Sequence, residues 1–369
     1  MKTKNILWIT LVVVLVVLTL FYFLQQKKEP EVIKIGAILP LTGTSKDHGK
    51  DAKDGMELLL DKLNNSKTLK YTYKIIYEDD QSLSSNSVTV AQKLINFNKV
   101  KIIIGPISST STLAIAPIAE KAKVVLLSPS ASDPQISKSG DYIFRNSLLA
   151  LPQGERMAKF CKDDIGRNEV SILYMNDDTG VSYYEAFQNS FLKYGGIIKS
   201  VERYEKDRND FRTQLLKLKL IGAKVIYSPG VPKTLGLIIK QANELGFFPI
   251  FLANIGIEGE ELIDIAGSSI NKNVYFTSVL VKDSFTKEYY KRYGKIPKIA
   301  APLAYDALGI AINVIEKYGY ESFLIKNGLY NIKNYDGVTG ITSFNNDGDA
   351  EKQAILKTIE KGKFNFYKN

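Results

Sequence analysis

The 369-residue chain is expected to fold as an α/β protein with two similar lobes, each built on a parallel sheet. Three observations predict this. Buried-strand patterns alternate with helix-period patterns from residue 32 onward. The rhythm restarts after Leu151. Several loops that follow the strands are rich in Gly, Ser, Thr and Asp, the residues that start helices.

The elements follow in order. "IKIGAIL" (Ile33–Leu39) reads as a buried strand. "KDGMELLLDKLN" (Lys53–Asn64) places Met56, Leu59, Leu60 and Leu63 on one helical face. "YTYKIIYEDD" (Tyr71–Asp80) alternates like a strand, and "SVTVAQKLINF" (Ser87–Phe97) has the helical period. "KIIIG" is a strand, Thr112–Lys121 a helix, and "VVLLS" (Val124–Ser128) a strand. Pro117 is expected to kink that helix or mark its first turn. After Leu151, strands are expected at Val170–Tyr174, Ile197–Glu202, Ala223–Ser228 and Phe248–Ala253. Helices fit at Tyr183–Tyr194, Asn209–Lys219, Lys233–Leu245, Asp283–Tyr293 and Ala300–Lys317. "GVTGITSF" and "KQAILKTI" close the chain as short β-like pieces.

The N-terminal segment stands apart. Ile6–Leu24 is 19 residues without a charge, and as a helix it would span about 28 Å, close to a hydrocarbon core. Lys2 and Lys4 favour a cytoplasmic N-terminus. No A-x-A site ends the segment and no Cys follows directly to accept a lipid. Residues 1–28 are therefore expected to form an uncleaved signal anchor and the start of a linker, with the rest outside the cytoplasm.

Composition excludes several classes. A single cysteine, Cys161, forbids an internal disulfide, and one His with one Cys leaves no zinc-type site. The net charge of +10 is spread among acids, without a basic block that would suit nucleic acid. G-x-x-x-x-G-K-[ST], G-x-G-x-x-G and G-x-S-x-G are all missing from the loops, so no nucleotide cofactor or hydrolase elbow is indicated. No cofactor and no catalytic residue are expected.

In open parallel sheets, ligands collect beyond the carboxyl ends of the strands. Four such loops follow the first-lobe strands: "PLTGTSKDHG", "EDDQS", "GPISSTST" and "SPSASDP". The last two are hydroxyl clusters leading into helices. Each cluster alone is an ordinary helix cap. Together at one sheet edge they suit a shared anionic ligand.

"IKIGAILPLTG", "GKDAKDGMELLLDKLN", "YEDDQS", "GPISSTSTLAIAP", "LLSPSASDP", "YIFRNS" and "GVTGITSFNNDGD" resemble, in order, the type I periplasmic-binding-protein family. The similarity is to its branched-chain amino-acid ABC-transporter branch and runs from Val32 to the C-terminus. It implies two Rossmann-like lobes joined by a three-strand hinge. Lobe 1 would be residues 32–147 plus 278–338, and lobe 2 residues 148–277 plus 339–369. The resemblance implies a ligand carboxylate held by Ser109, the backbone around Ser130, and Ser132. It places His48, Thr179 and Val231 where many relatives carry aromatics. It also places Ile255 where amino-acid binders carry an acid for the ammonium group. Either Asp133, Asp177, Asp178 or Glu258 substitutes, or the ligand has no ammonium. His48 is expected either to touch the ligand or to stand exposed on its loop. The expected protein is a monomer that passes a small amino acid or related carboxylate to a membrane permease. A sensor on the same fold is the alternative, and a hydrolase a more distant one.

Overall fold

The computed structural model describes Trp8 and residues 31–64, 68–205, 207–270 and 273–367. The expected anchor lies outside the described residues, apart from Trp8. Among the described residues, no helix is long and apolar enough to cross a membrane.

The first run contains β1 (Val32–Leu39), α1 (Lys46–Asn64), β2 (Thr72–Asp79), α2 (Ser84–Asn96), β3 (Ile102–Ile104), α3 (Ser109–Ala122), β4 (Val125–Ser128) and β5 (Ile143–Arg145). Its strands form one parallel sheet in the order β2-β1-β3-β4-β5. The near-continuous apolar strands are explained by burial on both faces. Ile33, Ile35, Ile102, Ile104, Val125 and Leu127 pack on one side with Ala52 and Met56 of α1. Ile38, Ile103 and Leu126 pack on the other with Leu94 of α2 and Ile115 of α3.

The second run contains α4 (Ala150–Asp163), β6 (Glu169–Met175), α5 (Asp178–Lys193), β7 (Ile197–Tyr204), α6 (Arg212–Leu220), β8 (Val225–Tyr227), α7 (Pro232–Glu244), β9 (Ile250–Ala253), α8 (Glu260–Ala266) and β10 (Val274–Ser278). Leu173, Ile226 and Phe251 face Leu215 of α6 and Ile238 of α7. Ile172, Val225 and Leu252 face Phe160 of α4 and Phe187 of α5. Cys161 is fully buried in that second layer, and burial pushes its thiol up to about 12. It acts there as a small apolar side chain.

The chain then forms α9 (Asp283–Tyr293), α10 (Ala300–Tyr318), α11 (Ser322–Tyr330), β11 (Tyr335–Gly337), β12 (Gly340–Phe344), β13 (Ala350–Lys352), β14 (Ile355–Glu360) and β15 (Lys363–Phe366). Helix α10 returns to the first sheet, where Ala304, Leu308 and Ile315 join its core. Strands β14 and β15 extend the second sheet, whose order is β15-β14-β10-β9-β8-β6-β7. Here the expectation of parallel sheets needs correction, because β14 runs antiparallel to β10 and β15 antiparallel to β14. Strands β11–β13 form a third, antiparallel sheet.

The chain passes between the two large assemblies at residues 146–149, 279–282 and 353–354. Each passage gives one residue to a small apolar cluster, Leu148, Val279 and Ala354, joined by Leu303. Beside it, Asp306 is fully buried and accepts N–H bonds from Val338 and Thr339, each at 2.7 Å. Lys352 donates to Thr339 and Thr342 at 2.8 and 2.6 Å.

Several boundaries differ from expectation. Helix α1 starts at Lys46, so the last four residues of the "PLTGTSKDHG" stretch are helix. Pro117 falls in the middle of α3, not in its first turn. Strands β5 and β10 and helices α8 and α11 lacked a periodic signal long enough to read, at 3, 5, 7 and 9 residues.

Candidate ligand-binding cleft

The carboxyl ends of the two sheets hold all seven expected site residues. His48 lies in the first turn of α1, after β1, and is exposed. Ser109 opens α3 after β3, and Ser130 and Ser132 follow β4. Thr179 is the second residue of α5, after β6. Val231 caps α7 after β8, and Ile255 starts a short 3-10 turn after β9. A hydrogen bond of 2.7 Å from Gln135 Nε2 to Asp178 Oδ2 links the loop after β4 to the start of α5. The two edges therefore face each other.

The first-sheet edge is knit by hydrogen bonds. Ser108 is the N-cap of α3, and its Oγ accepts the N–H of Ser111 at 3.3 Å. Ser109 Oγ accepts two N–H groups from the neighbouring loop, those of Ser132 and Asp133, each at 3.1 Å. Ser130 Oγ donates to the carbonyl of Ile107 at 3.3 Å. The two hydroxyl clusters are thus one structure. The structure differs from the expected arrangement at one point: the Ser132 N–H is turned onto Ser109. What Ser109 keeps is its hydroxyl proton, beside the orphan N–H groups of the first turn of α3. Gly105 has φ +104° and stands where a Cβ would lie 2.1 Å from the carbonyl of Ile38, so only glycine leads the chain into this turn.

Two side chains hold this edge from beneath. Arg145 is 2% exposed. Its guanidinium pairs with Asp349, donates to the carbonyl of Asp133, and donates to Ser137 Oγ at 2.6 Å. Ser137 in turn donates to Asp349 at 2.7 Å. Asp79 ties the loop after β1, accepting from Leu41 N–H at 2.9 Å and the Thr42 hydroxyl at 2.6 Å. Burial pushes its carboxyl up, but these bonds and that of the Gln81 N–H outweigh burial and hold it below its ordinary range.

The second-sheet edge is different in kind. Val231 is 45% exposed and offers only hydrocarbon. The Ile255 side chain packs against the apolar cluster of the crossings. Its N–H donates to Gln153 Oε1 at 2.9 Å. Gln153 is a buried hub that also accepts from Thr277 at 2.7 Å and donates to the carbonyl of Leu148 and to Tyr183. Burial raises the Tyr183 phenol, and its bonds to Asn254 and Gln153 oppose that. Gly180 stands where a Cβ would meet the carbonyl of Met175 at 2.0 Å.

The residues that sequence reasoning did not single out are Asp79, Arg145 and Gln153. Asp79 and Arg145 lay inside quoted motifs, but no local pattern announces a partner 204 positions away, as Asp349 is from Arg145.

Fold and edges together define a two-lobed protein whose strand ends face each other. The sequence profile of the periplasmic binding protein family matches residues 32–363, and the chain belongs to that family. A leucine-binding protein of Thermotoga maritima has a similar structure, with a TM-score of 0.80 and 28% identity over 91% of this chain and 98% of that one. A branched-chain amino-acid transporter substrate-binding protein of Streptococcus pneumoniae, solved with isoleucine, gives 0.79 and 28% over 90% and 98%. By sequence, a leucine-, isoleucine-, valine-, threonine- and alanine-binding protein of Pseudomonas aeruginosa is 26% identical over 250 residues, 67% of this chain and 66% of that protein.

Proposed function

We propose that this chain captures a small carboxylate-bearing solute, an amino acid or a close relative, and presents it to the permease of an ABC importer. The observation that carries this reading is the stitch at Ser109, which joins both hydroxyl-rich turns at the N-terminus of α3. A helix N-terminus with preorganised hydroxyls favours an anion. The family and the amino acids named for its relatives support it.

In this reading Ser109, Ser130 and Ser132 face the carboxylate, and His48, Thr179, Val231 and Ile255 surround the remainder. The lobes close on the ligand by bending at the three crossings. We place the lobe boundaries at these crossings, which moves the last one from residue 338 to residues 353–354. Residues 6–24 anchor the monomer to the cell membrane, with the cleft outside. Calorimetry of the Ser109→Ala, Ser132→Ala double variant tests the reading. Affinity for the carboxylate ligand should fall about tenfold or more, the equivalent of one charge-assisted hydrogen bond. Unchanged affinity would sink it.

A further inference from the structure

We infer that Gln135 and Asp178 form a latch across the mouth of the cleft, a positioning pair that sets how tightly any solute is held without touching it. This rests on the two-lobed capture proposed above and deepens it.

The two side chains stand on opposite assemblies. Gln135 belongs to the 3-10 turn Pro134–Lys138 after β4, and Asp178 is the first residue of α5 after β6. Gln135 Nε2 donates to Asp178 Oδ2 at 2.7 Å, the short distance of a bond to a charged acceptor. Among the described residues, no ion pair crosses from one assembly to the other. The polar link between the two edges therefore falls on this bond.

Both residues are exposed, yet both are mounted on fixed structure. Under Gln135, Ile136 is buried in the first-sheet core. Arg145 holds the Asp133 carbonyl and the Ser137 hydroxyl, and Asp133 caps the turn through the Gln135 N–H at 2.9 Å. Under Asp178, Asp177 caps α5 through the N–H of Gly180 at 2.7 Å, and buried Tyr183 is tied to Gln153 at 3.1 Å. Neither turn can follow the other assembly, so the bond breaks when the lobes part.

The latch sits close in sequence to Ser132 on one edge and next to Thr179 on the other. Ile255 packs instead against the apolar cluster of the crossings. The crossings thus close the back of the cleft and the latch closes its front. The bond forms between the lobes whether or not a solute lies behind it, so it adds the same increment to closure for every solute. For an exposed hydrogen bond to a carboxylate that increment is about fivefold in the closing equilibrium.

The test uses the full chain in detergent, spin-labelled through Lys121→Cys and Lys193→Cys, one on each lobe; Cys161 is buried and stays unlabelled. Electron–electron resonance without solute should show a short interlobe distance for the latch-intact protein and a shift to longer distances in Gln135→Ala. Gln135→Lys, which can pair with the Asp178 carboxylate, should restore the short distance. Identical distances in the latch-intact protein and Gln135→Ala overturn the latch. In calorimetry with L-leucine, L-isoleucine and L-alanine, Gln135→Ala should weaken each solute that binds by about fivefold and keep their order. A loss confined to one solute also overturns the latch, because it makes Gln135 a ligand contact. If none of the three binds, the carboxylate reading is what fails, and the distances still decide the latch.

Discussion

The edge of the first sheet and the edge of the second carry the same topology and opposite chemistry. Beyond β3 and β4, nearly every polar group is tied: Ser108 to Ser111, Ser109 to Ser132 and Asp133, Ser130 to Ile107, and all of it braced by buried Arg145. Beyond β8 and β9, Val231 and Ile255 present hydrocarbon, and the bracing is a neutral amide, Gln153. The contrast points to a division of labour. A rigid, donor-rich edge suits the group that all ligands share. An apolar edge suits the part that differs between ligands, where one side-chain change alters fit without unravelling a hydrogen-bond network.

The largest expected effect comes from breaking the brace of the first edge. Arg145→Met strands Asp349 in the interior and frees the Asp133 carbonyl. Losing one partner of a buried ion pair costs about 3–5 kcal/mol, so urea unfolding should shift by that amount. A loss below about 1 kcal/mol would show that the edge is not held from beneath.

A smaller effect lies at the crossings that join the two edges. Burial pushes the Lys352 amine down to about 8 from its ordinary 10.5, against the pull of Asp306. Between those two values the unfolded chain holds a proton that the folded chain has shed, so this residue's contribution to stability rises with pH. Above about pH 9 the buried Cys161 thiol, raised to about 12, works in the other direction. From pH 8 to 9 the wild type should therefore gain about 1 kcal/mol relative to Lys352→Met in urea melts. A constant difference between the two proteins would contradict the burial of that amine.

Much of the architecture was legible because two-sided burial writes long apolar strands, and amphipathic helices write a clear period, as in Ile33–Leu39 and Met56–Leu63. The short pieces were not. Strand β5 has three residues and gains its identity from pairing with β4, which no local pattern shows. At the site, the hydroxyl clusters could be read from composition, but their stitch could not. Ser109 meets Ser132 and Asp133 only because β3 and β4 are neighbours in the sheet. Arg145 carried no strand signal in the sequence, and its partner Asp349 lies in the turn between β12 and β13.

One measurement tests the division of labour most directly: affinities of a series of carboxylates with different side chains, for wild type, Ser109→Ala and Val231→Ala. The account predicts that Ser109→Ala weakens every member by a similar factor, about tenfold, and leaves their order intact. Val231→Ala should reorder the series while preserving the strongest affinities within a few-fold. Reordering by Ser109→Ala, or a uniform loss from Val231→Ala, would contradict it.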